Sequence, residues 1–203
     1  MSQTSNIITI SGPSGSGKTF LAQKLHEKLA QRGVASIALD SYYRDLSHLP
    51  LSERNQRNFD HPEAIEYELL LQQLNQLRQG NSVAVPEYDF QTHTRKHSSV
   101  ILAPTNYLIV EGIHALYWPE LREISAHRVF VDTPLKLCLS RRIERDQKER
   151  GRTRESVINQ WHESVLPMCI EHVLPMRQYA SQCIQRGDEL ELVLTELLRQ
   201  IVA

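Results

Sequence analysis

The sequence predicts an α/β fold of three layers, a mostly parallel sheet with helices on both faces, and three observations carry the prediction. Short β-branched runs alternate with helical stretches, several of those runs end on a carboxylate, and a glycine cluster separates the first run from the first helical stretch. Alternating strand and helix patterns imply parallel pairing, because each return to the sheet passes through a helix that covers one of its faces. At 203 residues the chain can bury an apolar core without disulfide or metal staples, and it reads as one domain spanning 1–203.

Asn6–Ser11 reads as a strand buried on both faces, since its IITI run has no polar alternation. Leu21, Leu25 and Leu29 recur at four-residue spacing, which predicts a helix after Lys18 that closes near Gly33, a left-handed cap position. Val34–Leu39 is a second strand, ending at Asp40. The stretch 41–62 is polar, carries aromatics and shows no period; it reads as a long connection of the type that often carries function. Leu70, Leu74 and Leu77 predict a helix closing near Gly80, and Val83–Leu102 reads as a β-hairpin around a polar, histidine-bearing turn, with 88–102 as a flap. Tyr107–Val110 and Val129–Val131 are strands followed by Glu111 and Asp132. Pro134 opens a helix, since its missing N–H is not needed in the first turn, and that helix breaks at Gly151 inside a lid at about 145–160. Two helical segments lie between Glu155 and Tyr179, a weak strand lies at Gln182–Gln185, and a last helix carries Leu190, Leu194 and Leu197.

A formal net charge of −1 gives no whole-molecule field to attract nucleic acid or an anionic membrane, so any phosphate binding must be local. Cys138, Cys169 and Cys183 are odd in number and lack metal-ligand spacing, which fits reduced thiols in a cytoplasmic protein. The polar start and the lack of an apolar run near the roughly 20 residues of a membrane span signal neither export nor insertion. His61, His97 and His114 show no spacing that supports a zinc site.

Gly12-Pro-Ser-Gly-Ser-Gly-Lys-Thr19 fits G-x-x-x-x-G-K-[S/T] and stands between a predicted strand and a predicted helix, the context that pattern requires. It makes the fold a P-loop NTPase type. Gly12, Gly15 and Gly17 let the backbone close around phosphate oxygens, with the N–H groups of Ser14, Ser16 and their neighbours turned to the anion. Lys18 reaches the β- and γ-phosphates and the Thr19 hydroxyl binds Mg²⁺. Ligand crevices of such sheets lie beyond the carboxyl ends of the strands, so Asp40, Glu111 and Asp132 are candidates to face one. Phosphoryl transfer needs a proton acceptor and a metal, which suits Asp40 and Glu111, whereas Asp132 reads as a helix cap or strand-end hydrogen-bonding group.

Six arginines, Arg141, Arg142, Arg145, Arg150, Arg152 and Arg154, crowd into 141–154. Arg141 reads as part of a solvated, salt-bridged helix face, while Arg142, Arg145, Arg150 and Arg152 sit where a lid can close over a triphosphate and stabilise developing charge.

With those features in place, the chain resembles the uridine kinase (uridine–cytidine kinase) family of P-loop kinases over nearly its whole length. The matching segments are GPSGSGKT at 12–19, DSYYRD at 40–45, NFDHPEA at 58–64, YDFQTHTRK at 88–96, IVEGIHALY at 109–117, FVDTPLKLCLSRRIERDQKERGRT at 130–153 and LPMRQYA at 174–180. The resemblance implies transfer of the γ-phosphate of ATP or GTP, with Mg²⁺, to the 5′-hydroxyl of uridine or cytidine. It implies Asp40 as general base with Lys18 and Arg152 at the reacting phosphate, and Thr19 with Glu111 as metal ligands. Asp60 holds the ribose hydroxyls, Tyr88, Phe90 and His93 surround the pyrimidine, and Arg142 and Arg152 lie near sugar and transferring phosphate. Arg145, Arg150 and Arg186 serve the donor triphosphate, and Gln160 and Trp161 line the nucleoside side, Trp161 standing where relatives commonly carry tyrosine. His114 stands where the family often has an aliphatic residue, and whether it faces ligand or core is open. Near Ser181–Gly187 the chain lacks an aspartate and a proline usual in relatives, which bears on donor preference. A homo-oligomer, commonly a tetramer, is expected. Other kinases of the superfamily, acting on ribulose phosphate or pantothenate, and a catalytically silent nucleotide-binding regulator remain alternatives.

Overall fold

The computed structural model describes residues 5–185 and 187–202. Seven strands form a five-stranded parallel sheet and a separate two-stranded hairpin. The strands are β1 (Asn6–Ser11), β2 (Val34–Ala38), β3 (Val83–Asp89), β4 (Thr94–Leu102), β5 (Tyr107–Glu111), β6 (Ser125–Asp132) and β7 (Gln182–Gln185). The large sheet runs β2-β5-β1-β6-β7, and β3 pairs only with β4, antiparallel. The central strand β1 is β-branched and buried along almost its whole length, as a strand covered on both faces must be.

The helices are α1 (Lys18–Leu29), α2 (Leu51–Arg54), α3 (Tyr67–Arg78), α4 (Pro119–Ile124), α5 (Leu135–Glu149), α6 (Arg154–Gln160), α7 (Leu166–Met168) and α8 (Leu190–Val202). On one face of the sheet, α1 and α8 bury Leu25, Leu29, Leu194 and Ile201 against Ile8, Ile10 and Val129. On the other, α3 buries Leu70, Leu74 and Leu77 with Ile37, Leu108 and Val110, and the hairpin joins them through Val83 at its base and Tyr88 near its turn. Fully buried leucines such as Leu25 and Leu74 each contribute about 2–5 kcal/mol, judged by what truncation to alanine costs in packed cores.

Register places the functional ends together. Parallel pairing sets Ala38 beside Glu111 and Glu111 beside Ile10, so the chain leaves β2, β5 and β1 at one edge of the sheet. Asp40 follows β2 in a 3₁₀ turn, Leu39–Tyr42, which takes over the last residue of the predicted strand. Gly112 is needed just after β5 because a Cβ there would come within 2.6 Å of Leu39.

Several expectations are revised. The 41–62 connection holds α2 and a 3₁₀ turn at Pro62–Ala64, and β6 begins at Ser125, four residues before the predicted start. The stretch from Arg154 to Tyr179 is a single helical passage in which π turns at Trp161–Val165 and Cys169–Val173 bracket α7. Those turns adjust the phase of the helix so that Trp161, Val165, Cys169 and Val173 all stay buried, a spacing of four that a 3.6-residue repeat would rotate away from the core.

Candidate active site

The phosphate loop joins β1 to α1 in the predicted place. Gly15 has φ +81° and a Cβ there would run into the Cys138 carbonyl of α5, so glycine is required twice over, by conformation and by space. Gly12 is equally confined, since a Cβ would lie 2.6 Å from the Val131 carbonyl. Gly17, at φ +102°, starts α1 with no acidic side chain in its first turn, which leaves the positive end of the helix dipole free for an anion. Thr133 Oγ1 donates to the Ser16 carbonyl at 2.9 Å and pins the loop from the end of β6. Arg141 stays exposed, as expected of a solvated face, and its Nη1 also donates to the Ser16 carbonyl at 3.1 Å, because the start of α5 lies directly on the loop.

A cleft of about 900 Å³ opens from this loop. Ser14, Lys18, Thr19, Asp40 and Glu111 line its phosphate side, and Asp60, Tyr88, Phe90 and His93 line the hairpin side. Arg142, Arg145, Arg150, Arg152 and Gln160 close the third side. Thr19 Oγ1 donates to Glu111 Oε1 at 3.1 Å, while Glu111 Oε2 is buried without a hydrogen-bond partner among the described residues. Burial pushes the Glu111 carboxyl up, Lys18 and the Thr19 hydrogen bond oppose that, and Asp40 adds to it. An orphaned carboxylate oxygen beside a hydroxyl, with a raised pKa, is an environment that a hard divalent cation would relieve.

Arg142 ties the sides together. Its Nη1 donates to Ser14 Oγ at 2.9 Å and lies 3.7 Å from Asp60, and its Nη2 donates to Gln160 Oε1 at 3.0 Å. Arg152 donates to the same Gln160 oxygen and to the Ser156 carbonyl. Burial raises the Asp60 pKa, with Arg142 opposing. Arg150 is destabilised as a cation by burial and then by Arg145, a frustration that an arriving anion relieves.

The hairpin side is aromatic. Phe59 stacks on His93 at 4.5 Å, and Tyr43 packs on both Phe59 and Tyr88 at 5.3 Å. Arg150 lies over Phe90 at 5.0 Å, a cation–π contact between lid and flap. His93 has a lowered pKa, from burial first and then from Arg150 and Arg152, so its ring is neutral near pH 7.

Not every expected residue lines the cleft. Trp161 is 3% exposed and packs with Cys138 and Val165 behind α5; it is core and not wall, so the nucleoside-lining expectation is not carried forward for it. Arg186 lies outside the described residues. Asp132 pairs with Arg177 at 2.8 Å at the end of β6, the strand-end reading, and does not cap α5, whose N-cap is Pro134. His114 is core: its ring Nε2 bonds the Asp60 carbonyl at 2.9 Å beneath the cleft. The Ser181 hydroxyl accepts the Arg128 main-chain N–H at 3.0 Å and donates to the Arg128 carbonyl at 2.9 Å, fastening the start of β7 to β6 where relatives were expected to carry aspartate. Tyr43, Phe59, Asn55 and Ser156 line the cleft and had drawn no role, although Tyr43 and Phe59 were legible as aromatics stranded in a polar connection.

A glycine-built phosphate loop that opens onto strand-end carboxylates and an arginine lid defines the class: a P-loop α/β kinase, a phosphotransferase that binds a nucleotide. The family model for the phosphoribulokinase/uridine kinase family matches residues 7–192. The chain is 42% identical to the uridine kinase of Shewanella amazonensis, over 98% of this chain and 95% of that one. It is 41% identical to the uridine kinase of Vibrio cholerae, over 96% and 93%. The solved phosphoribulokinase of Rhodobacter spheroides shares the fold, with a TM-score of 0.69 at 16% identity, over 91% of this chain and 71% of that one. The chain belongs to the phosphoribulokinase/uridine kinase family.

Proposed function

We propose that this protein is a uridine/cytidine kinase that moves the γ-phosphate of ATP or GTP to the nucleoside 5′-hydroxyl, giving UMP or CMP in pyrimidine salvage. The observation that carries the reading is the aromatic arm of the cleft, walled by Tyr43, Phe59, Tyr88 and His93 with Asp60 buried beside it, opening onto the phosphate loop. A flat base can pack against such a cluster of rings, and a buried carboxylate accepts a vicinal diol. A sugar phosphate would need a second anion pocket in place of an aromatic slot, which argues against ribulose phosphate.

In this reading Lys18 and the loop N–H groups of Gly12–Thr19 hold the donor phosphates, with Arg145 and Arg150 on their outer side. Asp40 accepts the proton of the 5′-hydroxyl as it attacks the γ-phosphorus. Arg142 and Arg152, steadied by Gln160, neutralise charge on the transferring group, and the lid at about 145–160 excludes water as it closes. Thr19 and Glu111 are the residues that would hold Mg²⁺, which would supply neutralisation of phosphate charge there. The hairpin at 88–102 covers the base, where neutral His93 offers one donor and one acceptor nitrogen and so suits either uracil or cytosine. A cytoplasmic location and homo-oligomeric assembly, tetrameric on the family resemblance, belong to the same reading; no described helix is long and apolar enough to cross a membrane.

The test is the identity of the labelled product when γ-labelled ATP is offered with uridine, cytidine or 2′-deoxycytidine. Label at the 5′ position of UMP and CMP, with the deoxynucleoside poorly used, is expected. Label on only one ribonucleoside at saturation removes dual specificity, and label on neither removes the reading.

A further inference from the structure

Asp146 does not touch the cleft, yet the lid arginines converge on it. It is fully buried on α5, one turn after Arg142 and four residues before Arg150, the residue that caps the C-terminus of the helix. Arg145 reaches Oδ1 twice, through Nε at 2.9 Å and Nη2 at 2.8 Å. Arg142 Nε lies 3.5 Å from Oδ2, and Arg150 Nε lies 3.8 Å from Oδ1. The main chain converges on the same residue: the Asp146 carbonyl accepts the N–H groups of Arg150 at 3.2 Å and Arg152 at 3.1 Å, folding the chain back through Gly151 at φ +62°. One residue thereby contacts four arginines, Arg142, Arg145 and Arg150 through its carboxylate and Arg150 and Arg152 through its carbonyl.

From this geometry we infer that Asp146 is a positioning residue for phosphoryl transfer, a buried counter-charge that aims Arg142, Arg145 and Arg150 at the donor phosphates. The physical case is one of balance. Three arginines crowded around a cleft repel each other, and without an anion among them they would splay toward solvent. Asp146 supplies that anion from behind, where it competes with no ligand for space. Its Oδ2 has no hydrogen bond among the described residues, and the contacts to Arg142 and Arg150 are longer than hydrogen bonds. Arg142 is therefore held by this charge together with its hydrogen bonds to Ser14 and Gln160, and Arg145 at full hydrogen-bonding distance, while Arg150 is held by charge and keeps its guanidinium N–H groups for a phosphate oxygen. Because Arg150 is already destabilised by burial and by Arg145, with Asp146 and then Asp40 opposing, removing the Asp146 charge 3.8 Å away leaves it less able to stay in the cleft.

The inference rests on the kinase reading above, and the test separates the two. Wild type must first turn over uridine; if it does not, the functional reading fails and takes this inference with it. Asp146→Asn keeps the shape and loses the charge. We expect kcat to fall about 10- to 100-fold while uridine KM stays within about threefold, since the arginines act on charge that develops in transfer. A merely structural role would lower thermal stability and uridine affinity together with kcat. Asp146→Glu, which keeps the charge, is expected to retain more kcat than the asparagine variant when both are referred to the folded fraction measured by circular dichroism. In an Arg145→Met background, Asp146→Asn is expected to cost several-fold less than in wild type, because part of its route is gone. Unchanged kcat in Asp146→Asn overturns the inference. So do equal losses in the Asn and Glu variants, or full additivity with Arg145→Met.

Discussion

The two walls of the cleft are made differently. On the phosphate side the shape is main chain: glycines at positive φ, carbonyls of Val131 and Cys138 pressed against the loop, and strand ends set by sheet register. On the hairpin and lid side the shape comes from side chains reaching across long stretches of sequence. Arg95 alone ties β4 down by an ion pair to Glu66 at 2.6 Å and hydrogen bonds to the Tyr43 and Tyr42 carbonyls at 3.1 and 3.3 Å. A main-chain wall resists deformation and binds what all nucleotide donors share. A side-chain wall can be retuned residue by residue, which suits it to choosing the acceptor and to moving.

The contrast predicts unequal consequences of mutation. The largest is expected at the junction: Asp40→Asn should lower kcat by about 10²–10⁴-fold with uridine affinity retained, and steady-state kinetics with calorimetric binding would check it. Near-normal turnover would remove Asp40 from the mechanism. Next comes the buried His114, whose pKa burial lowers to about 4 from an ordinary 6.5. The folded state then binds fewer protons than the unfolded chain between those values, so this contribution is full above pH 6.5 and is lost as pH falls toward 4. It amounts to about 3 kcal/mol. Asp60 and Glu111, with raised pKa values, act in the opposite sense on acidification, so the clean measurement is a difference. Urea unfolding of wild type and His114→Gln should show the wild-type advantage shrinking from pH 7 to pH 4; a constant gap would contradict the buried neutral ring.

Smaller effects should come from the side-chain wall. Arg95→Ala is expected to raise uridine KM about 10-fold with ATP KM nearly unchanged, because it frees the flap without touching the phosphate loop. Equal changes in both constants would erase the distinction between the walls. Smallest is Thr153→Ala: the Thr153 side chain caps α6 by accepting the Ser156 N–H at 3.1 Å, and its loss should cost about 1 kcal/mol by thermal unfolding while leaving uridine KM alone.

The same division explains what could be read from the sequence. The phosphate loop, the strand-end positions of Asp40 and Glu111 and the alternation that builds the sheet are local patterns, and they stand where the spacing put them. Phe59 on His93, or Asp146 under three arginines, are contacts between segments, and no local periodicity marks them. What went unread was missed for the same reason. Helix periodicity cannot show that exposed Arg141 also reaches the phosphate loop lying against α5, and it does not say that Trp161, one turn after the buried Val157, faces the core and not the cleft.

The most direct measurement is ADP release by the purified protein with ATP and Mg²⁺, offered uridine, cytidine, ribulose 5-phosphate and pantothenate separately. Turnover with uridine and cytidine alone is the predicted result; turnover with ribulose 5-phosphate or pantothenate, or with none of the four, would contradict it.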